Sequence, residues 1–188
     1  MSCVPKIVKN ITSTCETNRI GGIEQDYVVI ANRSDLIYTV TGNVVSSLAM
    51  KVGTKAYKLT GVKKSLSVGN EGKASDNRPM VFAHWLKFPQ FETLAADIAN
   101  VDAMEDVVVI VENKSKNAGG DGTFNVLGLV SGLHKTASTV DSNADNGVRN
   151  LELKSMDQQE EKYSFYTFLD TDYATSKQAL EDLLTVAV

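Results

Sequence analysis

The chain has 188 residues and a formal net charge of −4, with 43% hydrophobic and 22% charged side chains. That is about one domain's worth of material in an ordinary globular balance, enough to bury a real core. A mildly acidic chain is ill suited to gripping phosphate, and no apolar run approaches the ~20 residues of a membrane helix.

Residues 1–22 show little periodicity, end on Gly21-Gly22, and read as an N-terminal arm with one short strand at 7–11. No long apolar segment precedes a small-residue cleavage site, so a cytoplasmically made protein is expected. Cys3 and Cys15 both lie in this arm. They predict two reduced thiols, with a bridge as the alternative and no disulfide framework.

A single domain is expected over 23–188, made of short apolar runs separated by turn residues. Residues 27–31 and 35–41 read as strands, and Gly42-Asn43 is a turn into a third over 44–52. Residues 54–62 alternate in part, with Tyr57 and Leu59 on one face. The polar stretch 63–79 carries glycines, asparagines and basic residues, and reads as a long surface loop of functional interest. Residues 80–88 form the most apolar strand and hold the single tryptophan, Trp85. Pro89 suits a first helical turn, and Phe91, Leu94, Ala95, Ile98 and Val101 recur at three- and four-residue steps. That spacing predicts a helix beginning at Pro89.

Residues 106–111 read as a buried strand, followed by a glycine-rich loop over 113–122. Further strands are expected over 123–130, 133–140, 148–156 and 162–169, and a C-terminal helix over 173–184. The fold class is therefore mainly β, a sandwich or barrel, with one flanking helix and one C-terminal helix.

Chemistry is sparse. His84 and His134 sit in strand patterns with no ligand-spaced partners, so packed or surface histidines are expected. Asp141, Asn143, Asp145 and Glu152 fall at calcium-loop spacing, but the flanks are strands and a hairpin turn explains the same residues. The cluster Gly119, Gly120, Asp121 and Gly122 opens a strand instead of a helix, which argues against a phosphate cradle. The acidic run 157–162 reads as a solvated connection. No catalytic, cofactor or metal residue is expected, and the chain reads as a non-enzyme.

Several segments resemble virion structural proteins of tailed bacteriophages. They are Cys3 and Cys15, Gly21-Gly-Ile-Glu, Val28-Val-Ile-Ala-Asn-Arg-Ser-Asp35, Lys51-Val-Gly-Thr-Lys-Ala-Tyr57 and Asn146-Gly-Val-Arg-Asn-Leu-Glu-Leu. The order of elements is similar to that of tail-tube, or major tail, proteins. The resemblance implies a homo-hexameric ring that stacks into a tube, meets other virion proteins and lets DNA pass without specific binding; no membrane is involved. It also implies a location in the phage tail and an acidic channel. Lys63, Lys64, Asn70, Glu71, Lys73 and Arg78 are the inter-subunit contacts expected in the long loop. Deleting 64–77 is expected to leave a folded domain that no longer polymerises. The alternatives are a head–tail connector, a capsid decoration protein, or a monomeric binding module with a groove lined by Trp85, Tyr57 and Tyr163.

Overall fold

The structure, a computed structural model, describes residues 22–60, 65–75, 78–90, 95–116, 119–140 and 148–187. The arm, Lys63, Lys64, Phe91, Leu94 and the loop 141–147 lie outside them. Eleven strands and two helices are described: β1 (Ile23–Asn32), β2 (Leu36–Thr41), β3 (Val44–Met50), β4 (Tyr57–Leu59), β5 (Ser67–Ser75), β6 (Arg78–Gln90), α1 (Ala95–Asp102), β7 (Val107–Asn113), β8 (Phe124–Leu127), β9 (His134–Val140), β10 (Arg149–Lys154), β11 (Tyr166–Phe168) and α2 (Tyr173–Asp182). They form a seven-stranded sheet, ordered β2-β3-β11-β8-β7-β1-β4, and a four-stranded sheet, ordered β5-β6-β10-β9. Both sheets are open, so the architecture is sandwich-like and not a closed barrel.

The run of five apolar residues at 107–111 explains the layering. Val107, Val109 and Val111 join Val28, Ile30, Leu86, Phe88, Leu151 and Leu153 in the core between the sheets. Val108 and Ile110 point the other way, into a second core with Val29, Phe124, Phe168, Leu180 and Leu183. A strand buried on both faces has no polar face, and this one has none before Glu112. The order of layers is therefore four-stranded sheet, seven-stranded sheet, α2.

Two sequence expectations are corrected. Residues 67–75 are an edge strand and not a loop. They pair with β6 from Ser67↔Lys87 to Ser75↔Arg78. Glycines and polar side chains mask the strand because an edge on a solvated face needs few apolar residues. Gly69 also has a packing role: a Cβ there would run into the Trp85 indole, which lies across the strand. Pro89 does not begin a helix. It lies in β6 opposite Asn150, beyond the point where β5 stops pairing, so its missing N–H breaks no ladder bond on that side.

Of the apolar stripe expected of α1, Val101 is buried in the inter-sheet core, and Phe91 and Leu94 lie outside the described residues. α2 starts at Asp172, whose carboxylate accepts from the Thr175 backbone N–H at 2.8 Å. It is fastened by Glu112, only 1% exposed, which accepts from Tyr173 Oη at 2.7 Å, Lys177 Nζ at 3.1 Å and Lys116 Nζ at 2.7 Å.

Candidate functional site

Among the described residues no group of three or more His, Cys, Asp and Glu side chains could hold a metal ion. Glu152, the twelfth residue of the calcium-like spacing, instead faces Lys87 at 3.8 Å. His84 is fully buried between the sheets. Its Nδ1 accepts from the Gly128 N–H at 3.2 Å, and its Nε2 lies 3.0 Å from the Tyr163 carbonyl. That pairing calls for the neutral tautomer protonated on Nε2, and burial holds its pKa below the ordinary value despite the nearby charge of Glu161. A histidine so enclosed meets no substrate.

The notable surfaces are two flanks and one sheet face. On the outward face of the four-stranded sheet, Trp85 covers Gly69, and Lys87 Nζ stands 5.3 Å from the ring centroid. Charges on this face are paired: Lys87 with Glu152, and Lys154 with Glu71 at 3.6 Å. A groove of about 460 Å³ crosses β6, β10 and β9, lined by Pro89, Asn150, Glu152, Ala137 and Thr139 among others, and reaches Ser65 just ahead of β5.

One flank is built by β9, α1 and β4. Asp102 at the end of α1 is held to Lys135 of β9 at 3.1 Å and to Arg149 of β10 at 2.9 Å. The Lys135 bond is the largest of the effects that hold its carboxyl below the usual range. The other side of α1 leaves a groove of about 390 Å³ against β4, lined by Ile30, Tyr57, Leu59, Asn100, Met104 and Val107. Tyr57 is 58% exposed there.

The opposite flank holds β5 and an overhanging wing, β2–β3. No residue of β2 or β3 joins the inter-sheet core. The wing's face on that side carries Ile37, Thr39, Ser47 and Ala49, all exposed, in the register Ile37↔Ala49 and Thr39↔Ser47.

The residues expected as contacts divide as follows. Asn70, Glu71 and Lys73 lie on β5, and Arg78 opens β6. Lys73 Nζ reaches Asp157 at 2.9 Å and Glu160 at 3.0 Å, bracing the hairpin against the chain's later acidic run and holding both carboxyls below their ordinary values. The three aromatics expected in one groove are in three places. Trp85 is on the outward sheet face, Tyr57 on the α1 flank, and Tyr163 packs edge-on against Tyr166 at 5.3 Å. Ile37 and Asp102 were not singled out by sequence reasoning. The uncharged run Leu36–Thr41 was the available signal for Ile37, since edge strands usually carry a charge. The chain matches no protein-family model, no curated protein and no solved structure.

Proposed function

We propose that this chain is a structural virion protein of a tailed phage, whose copies join head to tail into rings that stack as the tail tube. The observation that carries the reading is the four-stranded sheet, which among the described residues ends in two edge strands, β5 and β9, that no further strand pairs. Its strands are all antiparallel, so β9 of one copy and β5 of the next run in opposite directions and continue the alternation. Such a contact is heterologous and closes into a ring when the curvature is uniform. It also occupies both edges, which removes a pairing hazard.

The resemblance implies six copies. That sets about 24 strands around the axis, and at ~4.8 Å per strand with a tilt of about 40° the backbone ring is roughly 48 Å across. The seven-stranded sheet, being wider, belongs at the larger radius. The channel face then carries Trp85, the Lys87–Glu152 pair and the Lys154–Glu71 pair. Paired charges present phosphate with little net attraction, so a duplex slides instead of sticking. This replaces the acidic channel expected earlier with a balanced one.

The test is electron microscopy and native mass spectrometry of the full chain at high concentration, with and without seeding by isolated tail fragments. Rings or stacked rings are expected. Strict monomers under both conditions overturn the reading.

A further inference from the structure

Resting on the ring reading, we infer that a second contact joins neighbouring copies through the wider sheet: Ile37 on β2 of one copy seats beside Tyr57 in the β4–α1 groove of the next. The two features lie at opposite edges of the same sheet, β2 at one end and β4 at the other. Strand direction allows them to meet. Across the order β2-β3-β11-β8-β7-β1-β4 the single parallel step is β3–β11, so β2 and β4 point in opposite directions. A copy placed head to tail therefore sets its β2 antiparallel to β4.

The faces agree as well. Leu36 and Tyr38 pack with the α2 side, so Ile37 points to the face that elsewhere meets the smaller sheet. Tyr57 lies opposite Ile30, which belongs to the inter-sheet core, so Tyr57 shares that face. Both are open: Ile37 is 52% and Tyr57 58% exposed.

Charge selects this pairing. Leu36–Thr41 contains no ionisable group except the Tyr38 phenol, whereas β5 carries Glu71 and Lys73, and β9 carries His134 and Lys135. An uncharged strand brings no charge of its own to be desolvated against the groove, whose lining is mostly apolar but includes Asn32, Lys58 and Asn100.

Circumference agrees too. The outer sheet sits about 10 Å farther from the axis, which gives each of six copies about 10 Å of extra arc, while its three additional strands at the same tilt of about 40° need about 19 Å. The wing therefore more than fills the gap and must press on the next copy's flank.

The test is disulfide trapping in the full chain with Cys3→Ser and Cys15→Ser. Ile37→Cys and Tyr57→Cys are introduced together and singly, and every variant is imaged. Within one copy the two positions stand roughly 29 Å apart across the sheet, far beyond the ~7 Å limit for a bridge, so a crosslink must join two copies. The expected result is an oxidised ladder up to ring size in the double variant only. In addition, Ile37→Lys should weaken association by roughly tenfold or more while the monomer's melting temperature holds. Rings that form normally with neither a ladder nor an Ile37→Lys effect overturn this contact and leave the ring reading standing. A dimer from Ile37→Cys alone indicates two-fold pairing of β2 and overturns it. The absence of rings in the parent chain overturns both.

Discussion

His84 is the residue on which acid should act first. It is buried with both ring nitrogens engaged, one accepting from an amide and one facing a carbonyl. Charging the ring turns the Gly128 contact from donor-to-acceptor into donor-to-donor. Its folded pKa is lowered, chiefly by burial. The unfolded state therefore binds the extra proton more readily, and the stabilisation is present above the unfolded value of 6.5 and lost as pH falls through the folded one. The melting temperature should hold from pH 8 to 7 and decline below about 6.5. His84→Phe should flatten that part of the profile. It should also cost about 1–3 kcal/mol at pH 7.5, because the Gly128 N–H and the Tyr163 carbonyl lose their partner. Thermal melts across pH check both. Glu161 faces the same ring and favours its charged form, so Glu161→Gln should sharpen the acid sensitivity.

Elements add a second set of consequences. α2 covers an apolar face through Leu180 and Leu183, but its registration depends on Glu112 gripping Tyr173 and Lys177. Burial alone would raise the Glu112 pKa; hydrogen bonds from Lys116, Tyr173 and Lys177 outweigh it and hold the carboxyl low. Glu112→Gln should cost about 1–3 kcal/mol in urea unfolding. The two lysines, more than a third exposed, can turn to water, which keeps the loss below that of a fully buried pair. Gly69→Ala should cost a similar ~1–3 kcal/mol by driving the Trp85 ring off β5. In Trp85→Leu the same change should cost far less, and that non-additivity separates steric conflict from lost glycine flexibility. These two cases mark what was legible in the sequence. β7 was plain because five consecutive apolar residues admit few solvated arrangements, and α2 was plain from its spacing. β5 was hidden: its Gly69 serves a tryptophan sixteen residues away in β6, and no local pattern reports that. The helix start was misread because proline suits a first turn and an unpaired strand end equally well. Asn70, Glu71 and Lys73 were picked for polarity alone, whereas Ile37 stands out only once strand order makes β2 an edge, and Tyr57 was expected in a groove with Trp85 and Tyr163 that the fold does not form.

For the whole molecule, the strand at 67–75 changes what a deletion can reveal. Removing 64–77 takes away β5, uncovers β6 along most of its length, and strips Leu66 and Val68 from the inter-sheet core. Such a variant should lose cooperative folding, contrary to the expectation that treated the segment as a loop, and circular dichroism on heating would report it. Assembly needs a gentler probe. Ser138 lies on the β9 edge opposite Leu151, on the face turned toward the core, yet is itself exposed. A lysine there can extend into solvent in the isolated protein, but would be trapped without a partner once another strand pairs with β9. Inward-pointing charge is a common guard on free edges for this reason. Ser138→Lys should therefore keep the monomer's melting temperature within about 2–4 °C, an effect under 1 kcal/mol for a domain of this size, while rings disappear from micrographs and sedimentation shows monomers. Rings of normal yield from Ser138→Lys would mean that β9 does not carry the contact, and the closure of the four-stranded sheet around an axis would have to be abandoned.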